Sequence, residues 1–124
     1  MNIVDSSGWL EYFADAPNAA FFAPAITKTG ELIVPAVSLY EVFKRVHQQW
    51  GESEALVAVA LMQQGAVVDL DATIALSAAR ISVEMRLPMA DSIMLATARH
   101  TGAELWTQDA DFEGIEGVRY ITAG

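Results

Sequence analysis

Four acidic residues stand at corresponding places along the chain, beside short apolar segments. Asp5 ends the first segment, Asp109 closely follows the fourth, and Glu41 and Asp91 each lie in the first turn of a predicted helix. Carboxylates that crowd together repel and raise one another's pKa, so an unfilled cluster costs stability. Hard divalent cations such as Mg²⁺ and Mn²⁺ reverse that cost, because they prefer carboxylate and water oxygens. Such ions can activate water for hydrolysis of a phosphodiester.

Each acid also has a local explanation that leaves a second interpretation open. Ser38 and Glu41 have the spacing of a capping box. Asp91 in a first helical turn interacts favourably with the helix dipole, and Asp5 before two serines suits a turn. The acids after the fourth segment suit a cap or a turn as well. Four separate caps on one edge of a sheet are less economical than one shared site, so we expect the acids to meet.

The elements that must position these acids alternate between strands and helices. Apolar periodicity and breakers predict strands at 2–5, 32–35, 66–69, 104–107 and 118–121, and helices at 8–13, 19–28, 38–50, 53–64, 71–85 and 90–101. We expect Ser6 and Ser7 to cap the first helix, and Pro24 to kink or shorten the second. The alternation predicts an α/β fold with a central, mostly parallel sheet of four to five strands between two helical layers. In such folds, sites form beyond the carboxyl ends of the strands.

The amino-acid composition argues against several classes of protein. The 124 residues are 53% hydrophobic and match one domain, 1–124, of ordinary size. Seven basic residues against sixteen acidic ones make a net charge of −9, which argues against a basic nucleic-acid reader but not against metal-bridged catalysis. The absence of cysteine excludes disulfides and thiolate sites. No apolar run is long enough to span a bilayer, and the first residues lack the basic region of a signal peptide, so we expect a cytoplasmic location and no membrane partner.

Four segments carry the acids: IVDSS at 3–7, PAVSLYEV at 35–42, PMADSIMLATA at 88–98 and WTQDADF at 106–112. In order, spacing and total length they resemble the PIN domain family, and within it the VapC-type toxins of bacterial and archaeal toxin–antitoxin pairs. The resemblance covers nearly the whole chain. It implies a PIN-like three-layer α/β/α sandwich.

The resemblance also implies a set of site residues. The acidic site, catalytic and Mg²⁺- or Mn²⁺-binding, would be formed by Asp5, Glu41, Asp91 and Asp109. Thr107 matches a hydroxyl position that supports the site in the family, and Asp111 matches a second acid often found there. In an extended segment Thr107, Asp109 and Asp111 would share one side. Asp111 ranks below the four, because a turn or cap role suits it equally well. Ser6 would contact a metal-bound water or cap its helix, and capping is the favoured interpretation.

The activity and partners implied by the resemblance are those of a toxin. They are cleavage of RNA (tRNA, rRNA or mRNA), a homodimer, and a cognate VapB-type antitoxin that lays a segment over the active-site groove. The residues alone indicate only a metal-dependent phosphodiester hydrolase.

Basic residues near the acids are candidates for contacts with RNA phosphates. Lys44 and Arg45 follow Glu41 by three and four residues and could pair with it along the helix. A solvated helix face is the favoured interpretation of both. Arg86 and Arg99 are further candidates for phosphate contacts.

Three alternatives belong to other classes. A PIN scaffold that binds partners without cutting RNA is the main one, although retention of all four acids argues against it. A receiver-like signalling domain would need a lysine late in the chain, whereas the two lysines here, Lys28 and Lys44, are early. A haloacid-dehalogenase-type phosphatase would need an acid two residues beyond Asp5, where this chain has Ser7.

Overall fold

A sheet of five parallel strands forms the centre of the computed structural model, which describes all 124 residues. The strands are β1 (Asn2–Val4), β2 (Leu32–Pro35), β3 (Ala66–Val68), β4 (Glu104–Thr107) and β5 (Val118–Tyr120). They lie in the order β3-β2-β1-β4-β5. All five predicted strands are present, and three of them end one residue earlier than predicted.

Six α-helices connect and cover the strands. They are α1 (Ser6–Phe13), α2 (Ala19–Thr27), α3 (Ala36–Trp50), α4 (Glu52–Met62), α5 (Ala72–Met85) and α6 (Met89–Thr101). Two short 3₁₀ turns, Thr29–Glu31 and Ala110–Phe112, precede β2 and follow β4. All six predicted helices are present, with ends that differ by one or two residues from the predicted ones.

The central strand β1 divides the hydrophobic core into two halves. Ile3 and Val4 are both fully buried, but Ile3 packs with residues of α5 and α6, whereas Val4 packs with residues of α1 to α4. Successive side chains of a strand point to opposite faces of the sheet, so each face is covered by its own helical layer. This arrangement confirms the predicted three-layer α/β/α sandwich and explains why the strands are apolar on both sides.

Two predicted caps are wrong. The N-cap of α1 is Asp5 and not a serine, since its Oδ1 accepts the backbone N–H of Gly8 at 3.1 Å. The capping box is also absent, because α3 begins at Ala36, directly after Pro35. The fixed φ of Pro35 starts the helix there without a capping side chain. Ser38 therefore lies inside α3, fully buried, with its hydroxyl 3.2 Å from the Met94 sulfur.

The predicted early end of the second helix is not seen, because α2 continues through Pro24 to Thr27. Phe22 precedes the exposed proline and Ile26 follows it, and both are buried in the same core. Packing on either side of Pro24 holds the segment helical despite the missing N–H. None of the six helices combines the length and apolar character that a bilayer crossing requires.

Candidate metal centre

The crevice between β1 and β4 is where the order of strands along the chain reverses. Val4 pairs with Trp106 in the sheet, and the next residue, Asp5, donates its N–H to the Trp106 carbonyl at 3.1 Å. The chain leaves β1 toward β2 on one side and later returns to β4 on the other. Ligands of open α/β sheets bind at such a reversal, outside the carboxyl ends of the strands.

Asp5 is held firmly at this point and is only 4% exposed. Its Oδ1 accepts hydrogen bonds from the Ser7 hydroxyl at 2.7 Å and the Gly8 N–H at 3.1 Å. Its Oδ2 accepts the Thr107 hydroxyl at 2.7 Å. Three donors therefore fix the orientation of a single buried carboxylate.

Thr107 joins the ends of β1 and β4. Its fully buried hydroxyl donates to Asp5 and also accepts the backbone N–H of Asp109 at 2.9 Å. One hydroxyl thus orients the first acid and the backbone that carries the fourth.

Asp91, Asp109 and Asp111 come together in space. Each offers a carboxylate oxygen, and these three oxygens lie within 4.8 Å of one another. Asp91 comes from the first turn of α6, whereas the other two follow β4. The predicted extended segment is wrong beyond Asp109, because residues 110–112 form a 3₁₀ turn. Asp109 caps that turn by accepting the Asp111 N–H at 2.9 Å, and the turn brings Asp111 to the cluster.

Glu41 is not a member of this group. Its Oε1 accepts the Ser6 hydroxyl at 2.6 Å, so Ser6 links α3 to the end of β1 instead of capping α1. The carboxylate is half-buried and is not among the three that share the 4.8 Å space.

The electrostatics of the cluster are those of crowded carboxylates. Burial raises the pKa of Asp5 from its usual value of 3.8 to about 6, and the charge of Asp109 adds to the rise, while its three hydrogen bonds oppose it. Burial, followed by the charges of Asp109, Asp5 and Asp111, raises the pKa of Asp91 to about 7. A raised pKa means that the folded chain disfavours the charged form in the absence of a cation.

No basic side chain neutralises these acids. The one salt bridge of the structure joins Arg119 to Glu104 at 3.8 Å, away from the cluster. Lys44 and Arg45 are exposed and form no salt bridge with Glu41, in agreement with the favoured interpretation of a solvated helix face. Lys44 instead lies 5.7 Å from the centre of the Tyr40 ring.

The remaining basic candidates are spread over the molecule. Arg45 lines a groove next to α1 and α4. Arg86 is the left-handed C-cap of α5, with φ of 56°. Arg99 is exposed in the last turn of α6, about 12 Å further along the helix axis than Asp91.

The donor set fits a hard divalent cation. It consists of oxygens alone, it has no cationic partner, and the pKa values of its member Asp91 and of the adjacent Asp5 are raised. Carboxylate oxygens are the ligands that Mg²⁺ and Mn²⁺ prefer. The residues present could therefore hold such an ion.

A groove of about 640 Å³ lies between α1, α3 and α4. Ser7 and Gln108, which line the groove, contact or adjoin the acids Asp5 and Asp109. Its apolar lining consists of Leu10, Phe13, Ala14, Val46, Trp50, Val57, Ala58 and Leu61. The groove is therefore largely apolar, and none of the candidate acids lines it.

Sequence reasoning missed two polar residues beside the cluster. Ser7 donates to Asp5, a contact that its position two residues after an N-cap acid could have suggested. The Gln108 side chain donates to Glu11 at 3.1 Å and accepts from Asn18 at 2.9 Å. That network ties the loop after β4 to α1 and to the start of α2, and no local pattern indicates it.

The chain is similar to solved structures of toxin–antitoxin proteins. A toxin–antitoxin complex from Klebsiella pneumoniae has a TM-score of 0.80 at 22% identity, covering 96% of both chains. VapC20 from Mycobacterium tuberculosis, described as a sarcin-ricin loop cleaving toxin, has a TM-score of 0.77 at 18% identity, covering 94% of this chain and 95% of its own. VapBC2 from Rickettsia felis, bound to a DNA fragment from its promoter, has a TM-score of 0.74 at 11% identity, covering 98% and 97%.

At identities this low, the solved structures show a shared fold and no more. No curated protein matches the chain in sequence. The sequence profile of the PIN domain, however, matches residues 3–118. With the parallel sheet and the acids at its carboxyl edge, that match shows that this chain belongs to the PIN domain family.

Proposed function

We propose that this chain is a metal-dependent endoribonuclease that acts in the cytoplasm as the toxin of a VapBC-type toxin–antitoxin pair. The observation that carries the proposal is the group of three carboxylates within 4.8 Å, with Asp5 fixed beside them and no cationic partner. Membership of the PIN domain family and the shared fold with toxin structures support it.

The proposed metal ligands are Asp91, Asp109 and Asp111, completed by Asp5 and Glu41. From the sequence, Asp111 ranks below the other four acids as a metal ligand. We include it among the ligands because its carboxylate belongs to the group of three. A bound Mg²⁺ or Mn²⁺ would neutralise negative charge on a substrate phosphate and lower the pKa of a water molecule. The chain contributes fixed carboxylates: Ser7, Gly8 and Thr107 orient Asp5, and Ser6 orients Glu41.

RNA phosphates would meet few basic residues on this acidic chain. Arg45 is the strongest candidate of the four, because it lines the groove that also contains Ser7 and Gln108, the neighbours of Asp5 and Asp109. Lys44, Arg86 and Arg99 are weaker candidates, since none of them lines that groove.

The groove suits a segment of the proposed VapB-type antitoxin. Apolar residues form most of its lining, among them the exposed Trp50, Val57 and Leu61. Apolar side chains of a partner would bury that surface. A segment seated there would contact Ser7 and Gln108, the neighbours of Asp5 and Asp109.

The direct test is cleavage of RNA by the purified protein with Mg²⁺, with Mn²⁺ and with chelator, using wild type, Asp5→Asn and Asp91→Asn. We expect cleavage only by the wild type with metal. Asp15→Asn is a matched control, because Asp15 is exposed and its φ of 50° suits asparagine. Equal cleavage by all the proteins, or in chelator, would refute the metal mechanism.

The toxin role needs a separate measurement. Induced expression of the wild type should arrest growth, and Asp5→Asn and Asp91→Asn should not. The alternative function, a PIN domain that binds partners without cutting RNA, predicts no cleavage under any condition but intact binding of the antitoxin by the wild type and the variants.

A further inference from the structure

Three half-buried residues form a closed ring of hydrogen bonds next to Asp109. The Gln108 amide donates to Glu11 Oε1 at 3.1 Å, and Glu11 Oε2 accepts the backbone N–H of Asn18 at 2.8 Å. The Asn18 amide closes the ring by donating to Gln108 Oε1 at 2.9 Å. Glu11 lies on α1, Asn18 precedes α2 and Gln108 follows β4. The ring therefore joins three separate elements.

Gln108 lies between two residues of the candidate metal centre. Thr107 before it donates to Asp5, and Asp109 after it belongs to the group of three carboxylates. The N–H groups of Asp109 and Asp111 bond to acceptors within the same segment, Thr107 Oγ1 and Asp109 Oδ1. The ring, by contrast, ties this segment to two helices. It therefore limits how far the backbone between Thr107 and Asp109 can move.

The polar atoms of the ring are occupied by one another. Both oxygens of the Glu11 carboxylate accept N–H donors, and Glu11 is not a member of the group of three. The Asn18 amide also donates to the Thr122 carbonyl at 3.0 Å, which ties the ring to the segment after β5. These side chains therefore hold other parts of the chain in place.

We infer that Glu11 and Gln108 are positioning residues for the metal centre, because their ring holds the backbone from which Asp109 and Asp111 reach Asp91. The inference rests on the proposed function, since it takes the three aspartates as metal ligands. Loss of a hydrogen-bond partner that orients a metal ligand typically weakens metal binding by about 10- to 100-fold. Disruption of the ring should therefore weaken metal binding, although neither residue is a ligand.

The substitution Gln108→Glu separates positioning from charge. It places a second carboxylate against that of Glu11, where the wild type has an amide donor. Like charges repel, so the segment after β4 should move away from α1. The same substitution adds negative charge next to Asp109, which by itself attracts a cation. Positioning predicts weaker cation binding, whereas charge alone predicts tighter binding.

An exchange of the two residues preserves every bond of the ring. With Glu11→Gln and Gln108→Glu combined, the amide at position 11 accepts the Asn18 N–H and donates to the carboxylate at position 108. That carboxylate also accepts the Asn18 amide. Each donor of the ring thus keeps an acceptor, so the double variant should recover the metal binding that each single variant loses.

The test is calorimetric titration of the full chain with Mn²⁺. Gln108→Glu should raise the dissociation constant by about tenfold or more. Glu11→Gln should raise it less, because one amide loses its acceptor without charge repulsion, and the double variant should return close to the wild type. Gln64→Glu is the matched control, because it adds the same charge at an exposed glutamine shortly before β3, at the opposite end of the sheet from the acids. It should leave the dissociation constant unchanged.

Two measurements in chelator separate positioning from a general loss of stability. A ring that only stabilised the fold would lower the free energy of unfolding of the single variants in urea, but would leave the Mn²⁺ affinity of the folded chain unchanged. Hydrogen exchange reports on the segment directly. The N–H groups of Asp109 and Asp111 should exchange faster in Gln108→Glu than in the wild type, and at the wild-type rate in the double variant.

Three outcomes would overturn the inference. They are a wild type that binds no Mn²⁺, a Gln108→Glu variant that binds Mn²⁺ at least as tightly as the wild type, and a double variant without rescue. None of these measurements depends on RNA cleavage. A wild type that shows the expected Mn²⁺ pattern but cuts no RNA would refute the nuclease proposal and support the role of the ring, so the two failures are distinguishable.

Discussion

Hydroxyl groups near the ends of β1 and β4 orient two of the acids, Asp5 and Glu41. Ser7 and Thr107 donate to Asp5, and Ser6 donates to Glu41. Such bonds favour the charged carboxylates that burial and crowding disfavour. These single hydroxyl groups therefore reduce the free-energy cost of charged acids in the folded chain before a cation binds.

Thr107→Val should destabilise the chain by about 1–3 kcal/mol, because the buried Asp5 Oδ2 and Asp109 N–H lose their shared partner. Urea denaturation measures the free energy of unfolding, and Mn²⁺ titration should show weaker binding. Thr27→Val is the control, since that hydroxyl bonds the Ala23 carbonyl at an exposed position. An equal loss of stability in both variants would contradict the role given to Thr107.

Stability in chelator should fall as the pH rises from about 4 to 8. Asp5 and Asp91 have folded pKa values of about 6 and about 7, above the usual 3.8. The folded state therefore holds more protons than the unfolded state in this range, and each carboxyl destabilises the fold once it is charged. Asp91→Asn should show a smaller fall than the wild type by thermal unfolding.

Added Mg²⁺ should raise the melting temperature of the wild type at pH 8, because binding to the folded state alone stabilises it. The effect should be smaller in Asp91→Asn. A wild type and variant with the same pH slope and the same response to Mg²⁺ would show that Asp91 is not part of a titrating metal cluster.

At the scale of elements, α1 sits unusually close to its neighbours. A Cβ atom at Gly8 would lie 2.6 Å from the Phe22 ring and 2.7 Å from the Val4 side chain. The same glycine donates its N–H to Asp5. The close packing of α1 against β1 and α2 therefore sets the position of the first acid.

Gly8→Ala should destabilise the chain by about 1–3 kcal/mol, since a methyl group there overpacks the core. It should also weaken Mn²⁺ binding by shifting the cap at Asp5. Gly30→Ala is the control, because nothing lies within 4 Å of the added Cβ atom. Chemical denaturation measures the free energy of unfolding of both variants. An unchanged free energy of unfolding in Gly8→Ala would mean that α1 shifts to accommodate the methyl group without loss of stability.

At the scale of the whole molecule, the net charge of −9 opposes binding of a polyanion. The acidic cluster has no cationic side chain in contact, so the field near it is negative. Under the proposed function, contact with RNA phosphates would rely on bound cations more than on lysine and arginine.

A short fluorescent RNA should show no binding to the protein in chelator, and measurable binding with Mn²⁺, by anisotropy. Because few phosphates meet basic residues, the affinity with Mn²⁺ should depend only weakly on monovalent salt. Tight binding in chelator that weakens steeply with salt would contradict this, and would indicate a basic surface.

The amino-acid sequence alone predicted the strands and helices, because apolar periodicity and breakers are local properties. It also predicted that Asp5, Asp91 and Asp109 lie next to strands and helices that bring them to the carboxyl edge of the sheet. It misplaced the starts of α1 and α3, where Asp5 and Pro35 act in place of the expected serines.

Which of these residues meet is evident only from the folded chain. The bond from Ser6 to Glu41 spans 35 residues and the bond from Thr107 to Asp5 spans 102. The order of the strands, the approach of Asp111 and the groove depend on contacts of this kind. Pairings between distant residues follow from packing of the whole chain, which no local pattern of residue types encodes.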